Sequence, residues 1–158
     1  MKSITAQWFV CKVRYEKMQE DGMQKKVTES YVIDAVSFTE AEERIIEEMS
    51  AYISGEFNVK AVQLAPFGEI FFDDENETAD RYYKAKLAFI TIDEKSGNEK
   101  RQSVTYLVQA SNFNDAVKNT DKVMGGTMID YEINSIAETA ILDVFQYVKK
   151  DEPKQDAE

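Results

Sequence analysis

The sequence predicts an α+β protein made of two tandem β-hairpin–helix–β repeats, with antiparallel sheet, two helices packed on it and an approximate twofold between the halves. Three observations predict this class. An internal repeat comes first: the segment from Tyr31 to Ala41 recurs 75 residues later, from Tyr106 to Ala116, and Gly22/Gly97 and Lys25/Lys100 keep that offset. Apolar side chains alternate in the segments before each of these stretches, as half-buried strands require. After each stretch the apolar spacing changes to that of a helix, and each copy has one helix to cover an aromatic-rich strand face.

The elements follow in order. A first strand runs near Trp8–Tyr15, with Phe9, Cys11, Val13 and Tyr15 on one face, and matches Tyr82–Phe89 once a one-residue loop difference is allowed. A polar turn at Glu20, Asp21 and Gly22 leads to a second strand near Val27–Val36, and two strands this close imply a hairpin. Ser37 with Glu40 fits a helix N-terminal capping box, and Asn112 with Asp115 holds the same places in the second copy. The first helix spaces Phe38, Ala41, Ile45, Met49 and Tyr52 or Ile53 along one side, with Gly55 as its expected stop. Phe113, Ala116, Val117, Val123 and Met124 mark a second helix, expected to be shorter and to stop at Gly125 and Gly126. A third strand follows each helix, near Phe57–Ala65 and Met128–Ala137, and then a further apolar piece, Glu69–Phe72 and Ala140–Val148. The expected organisation is therefore repeat 1 over residues 1–72, an acidic linker over 73–80, repeat 2 over 81–148 and a frayed tail over 149–158, with the repeats forming one globular domain.

Composition narrows the function. The chain of 158 residues carries 30 acidic and 19 basic side chains, a formal net charge of −11, which repels phosphate backbones and makes nucleic acid a poor partner. It has no histidine, so the commonest general base and the Ser-His-Asp and Cys-His arrangements are missing. The single cysteine, Cys11, forms no intramolecular disulfide and no cysteine-based zinc site, and its mid-strand position reads as a small buried hydrophobe. No phosphate-cradling glycine motif is present, so no cofactor is implied. The start of the chain lacks the features of a secretory signal and the apolar run from Ala6 to Cys11 is too short to span a membrane. A cytoplasmic setting is the expectation.

Two binding readings follow. The first is a non-enzymatic binding or accessory protein that acts through a protein surface, consistent with an acidic, duplicated scaffold that carries no catalytic motif. The second is a binder of a small anionic ligand, such as a nucleotide, at the junction of the repeats. Its candidate ligand-binding residues are Tyr31, Tyr106, Lys25, Lys100 and Arg101, because repeat-related tyrosines and cations would converge there. A third route, carboxylates with a divalent cation, is open in principle, but no spacing singles out a pair of acids or a metal site.

The stretch from Glu29 to Ile45, preceded by Trp8–Tyr15, resembles a small family described only as a domain of unknown function and associated with gut-type Bacteroidetes and some of their phages. The likeness extends over residues 1 to about 148. It implies a bacterial or phage setting and brings no catalytic or binding residue with it.

Overall fold

A computed structural model of the chain describes residues 7–146; the segment read as a frayed tail, 149–158, lies outside the described residues. Strand alternation builds the first hairpin. β1 (Gln7–Met18) turns Phe9, Cys11 and Val13 inward, all fully buried, and pairs antiparallel with β2 (Gln24–Ala35) from Gln7↔Ala35 to Met18↔Gln24. Both strands run further toward the turn than their apolar residues indicate, because the backbone ladder continues through polar pairs such as Glu16↔Lys26 and Lys17↔Lys25. The turn closes at Gly22, whose φ of 83° favours glycine over residues with a Cβ. Asp21 Oδ1 accepts the Met23 N–H there at 2.9 Å.

α1 (Phe38–Ser50) lays Ala41, Ile45 and Met49 on Phe9, Cys11, Val13, Ile33 and Ala35. Its N-terminus is held as the sequence suggests: Ser37 Oγ accepts the Glu40 N–H at 3.1 Å. The Glu40 carboxylate reaches back one residue past the cap and accepts from Val36 N at 2.7 Å. The helix ends at Ser50, ahead of the expected stop at Gly55. The Ala51 and Tyr52 amides bond to the Glu48 and Met49 carbonyls in a tighter last turn, which satisfies those acceptors without a glycine. β3 (Phe57–Leu64) then returns antiparallel to β1, with a bulge in the ladder between Lys12 and Val13.

The chain next passes Pro66 and Gly68 into the short β4 (Glu69–Phe71). β5 (Arg81–Ile92), β6 (Glu99–Ala110), α2 (Phe113–Gly125) and β7 (Asp130–Glu138) follow in the same order as the first four elements. The correspondence extends to detail. β5 and β6 form an antiparallel hairpin, Gly97 has a φ of 72°, and the β5–β7 ladder has its bulge between Lys86 and Leu87. The second helix is as long as the first, 13 residues each, not shorter. Its middle buried position is a threonine: Thr120 donates its hydroxyl to the Ala116 carbonyl at 2.8 Å, so a polar residue sits where Ile45 sits in α1.

The ten elements end with β8 (Ile141–Phe145). They form two mixed four-stranded sheets, ordered β3-β1-β2-β8 and β4-β6-β5-β7, with one helix packed on each. The antiparallel expectation meets one departure in the second sheet, where β4 runs parallel to β6, from Glu69↔Tyr106 to Phe71↔Val108. Two compact units result, one of residues 7–64 with 143–146 and one of residues 65–142. The segment 73–80 is tied to the second unit: Asp73 N donates to Gln109 Oε1 at 2.9 Å and Asn76 Nδ2 to Ser111 Oγ at 2.8 Å. Among the described residues no helix is long and apolar enough to cross a membrane.

Candidate functional site

The residues singled out from sequence fall at defined places within each unit. Tyr31 lies on the face of β2 that α1 covers, with its ring stacked on Phe145 at 5.6 Å. Lys25 is on the same strand six residues earlier, about 20 Å away in an extended chain, exposed and opposite Lys17. Tyr106 meets Phe71 edge-on at 5.0 Å. Lys100 pairs with Asp93 at 3.9 Å, and Arg101 holds Glu132 through two bonds of 2.7 and 3.3 Å. Neither strand brings its tyrosine to its own cations. Trp8 is half-buried, and Tyr82 and Tyr83 are buried, as core-closing aromatics.

Tyr31 instead joins a cluster that sequence reasoning missed. Its hydroxyl donates to Glu29 Oε1 at 2.8 Å, and the Tyr15 hydroxyl donates to the same oxygen at 3.0 Å. Lys17 Nζ reaches Glu29 Oε2 at 3.4 Å. Burial, then the hydrogen bond and charge of Glu29, pushes both phenols above their ordinary range, Tyr31 strongly. Tyr106 is also raised, by burial first and then by Glu69. The available signal was the alternation itself: Val27, Glu29, Tyr31, Ile33 and Ala35 share one face, and a carboxylate there needs partners. The cluster is a satisfied polar patch at the end of the first unit's core.

On the opposite face of that sheet, turned away from α1, Val32 is fully buried, and exposed polar side chains lie toward the hairpin turn in rows fixed by the strand register. Lys12 lies opposite Ser30, Arg14 lies between Asn58 and Thr28, and Glu16 lies opposite Lys26. A groove of about 800 Å³ opens here, lined by Arg14, Glu16, Gln24, Lys26, Asn58 and the loop at 54–56. Alternation turns the side chains of Tyr15 and Phe57 to the other face, so their contribution to the groove is mainly backbone. Among the described residues, Lys12, Arg14 and Lys26 form no ion pair.

The second unit has a matching face with a different electrostatic outcome. Counted from the bulge, Lys86 and Thr105 stand where Lys12 and Ser30 do, and Arg101 stands where Lys26 does. Ala88 replaces Arg14, and Glu132 replaces Asn58. Glu132 grips Arg101, an interaction that also lowers the Glu132 carboxyl below its ordinary range. The second unit thus pairs Arg101 with Glu132, whereas the first unit has Asn58 at that place, an acid, Glu16, opposite Lys26 where Ile90 lies opposite Arg101, and one more cation, Arg14.

No group of three or more His, Cys, Asp or Glu side chains that could hold a metal ion occurs among the described residues. No curated protein matches the chain. The family model named Domain of unknown function (DUF4494) matches residues 7–147, a span that takes in all ten elements, and the chain belongs to that family.

Proposed function

We propose that the chain is a non-enzymatic binding protein that acts through a surface, and that the working surface is the part of the first unit's sheet face turned away from α1 that lies toward the hairpin turn. The observation that carries this reading is the set of exposed cations Lys12, Arg14 and Lys26, which form no ion pair among the described residues, in a chain whose net charge is −11. Isolated surface cations in an acidic protein normally find acids nearby, as Arg101 does. Lys12 and Arg14, whose cross-strand neighbours are uncharged, stand beside hydroxyl and amide donors, which supports recognition of an anionic group.

Titration calorimetry of the full chain against short acidic peptides, inorganic phosphate and nucleotides tests the reading. The expected result is saturable binding of at least one anionic probe, weakened by salt and lost when Arg14 and Lys26 are both replaced by Ala. Binding that survives the double substitution, or a panel with no binder, overturns it. A second reading is a small anionic ligand, supported by the volume of the groove, about 800 Å³. The same titration separates the two readings, because a small ligand binds as tightly alone as within a peptide.

A further inference from the structure

We infer that this face takes an extended polypeptide segment with two carboxylates at alternate positions, followed by a neutral or basic residue. The inference rests on the surface reading above and specifies its partner. Lys12 and Arg14 are two residues apart on one strand and point to one face, which sets their spacing at about 6.6 Å. An extended peptide has the same two-residue pitch, so Glu or Asp at positions i and i+2 meets both cations at once. Beside Arg14, the Thr28 hydroxyl and Asn58 amide can donate to the carboxylate oxygens that the guanidinium leaves free, and Ser30 stands beside Lys12.

The pattern ends at the next alternate position. Glu16 follows Arg14 on the same face, and Glu56 also lines the groove. A third carboxylate would meet Glu16, whereas a lysine would pair with it. That reversal of sign argues against a uniform polyanion. Nucleic acid is further disfavoured because these three rows carry no aromatic side chain on which a base could stack. The matching face of the second unit is closed to the same segment, because Ala88 supplies no charge and Glu132 would repel it.

Fluorescence anisotropy with labelled peptides on the full chain tests the idea. One peptide has the core Glu-Ser-Glu-Ser-Lys, the other the same composition reordered as Glu-Glu-Ser-Ser-Lys, with oligoglutamate, oligodeoxythymidine and inorganic phosphate as competitors. The alternating peptide is expected to bind at least about tenfold more tightly than the reordered one, because adjacent glutamates point to opposite faces of an extended chain. Asn58→Glu, which installs the acid of the second unit, and Arg14→Ala are each expected to weaken it by about tenfold. Lys95→Ala, in the turn of the second hairpin, is expected to leave it unchanged. Equal binding of the two peptides, wild-type affinity in Asn58→Glu, or stronger binding of oligodeoxythymidine than of the alternating peptide overturns the inference. If phosphate or oligoglutamate binds through Arg14 without the alternating preference, the extended segment is wrong and the surface reading stands. If no anion binds, both fall.

Discussion

Glu29 occupies an inward place on β2 where alternation calls for an apolar side chain, and 12% of its side chain is exposed. The corresponding residue of the second unit is Val104, and Tyr15 corresponds there to Phe89. One unit therefore solves the position with a hydrogen-bonded carboxylate and the other with packing. Glu29→Ala is expected to cost about 1–3 kcal/mol in urea denaturation, since two phenol hydroxyls lose their acceptor together. Glu29→Val combined with Tyr15→Phe and Tyr31→Phe is expected to be close to neutral, because it removes donors and acceptor alike. Cys11 gives a second measurement at this scale. Burial, with a smaller push from Glu42, raises its thiol from 9.0 to about 11. The folded state therefore holds this proton more tightly than the unfolded chain. The stability it contributes is complete below pH 9 and is lost as pH rises from 9 toward 11. Denaturant midpoints across that window should fall less steeply in Cys11→Ala than in the wild type, and a parallel fall in both would show that the thiol is not responsible.

At the scale of elements, the two helices start alike and are fastened differently. Asn112 Oδ1 accepts the Asp115 N–H at 2.9 Å, as Ser37 does for Glu40. Ser37→Ala and Asn112→Ala should each cost about 1 kcal/mol in thermal or urea unfolding, and an unchanged midpoint would mean that the caps are replaced by water. One turn further on, Arg44 of α1 donates to the Asp34 backbone carbonyl and pairs with its carboxylate. The corresponding residue of α2, Asn119, donates to the Gln109 carbonyl at 3.0 Å and also to Asp73 Oδ2 at 3.1 Å. Both side chains clamp helix to hairpin at the same point, one through charge and one through an amide. Asp73, at the start of the segment 73–80, bonds to both Asn119 and Gln109 at this clamp. Capping was legible in the sequence because it depends on residues three apart. The clamps were not, because each joins residues ten apart whose meeting depends on how the helix lies across the hairpin.

For the molecule as a whole, the two units share the same order of elements, helices of equal length and bulges at matching places. The chain leaves the first unit at residue 64 and returns to it at 143. Phe145, on the returning strand, stacks on Tyr31 at 5.6 Å and lies 6.3 Å from Tyr52. Phe145→Ala should destabilise the first unit by about 2 kcal/mol, less than a fully buried phenylalanine because the ring is half-buried. Amide exchange along β2 should accelerate with it, and unchanged protection there would show that β8 adds nothing to that sheet's stability.

Local order was written in the chain by itself: strand alternation, hairpin turns at Gly22 and Gly97 and the helix caps all follow from residues close in sequence. Tertiary structure decided which strand joins which sheet, including the parallel pairing of β4 with β6. It also decided which cations stay open. Arg14, Lys26 and Arg101 look alike in sequence, and only the register of β3 and β7 places Asn58 near one pair and Glu132 on the other. Charge is a property of single residues, but its neutralisation requires a partner brought within a few ångströms, and pairing between distant strands is what supplies that proximity.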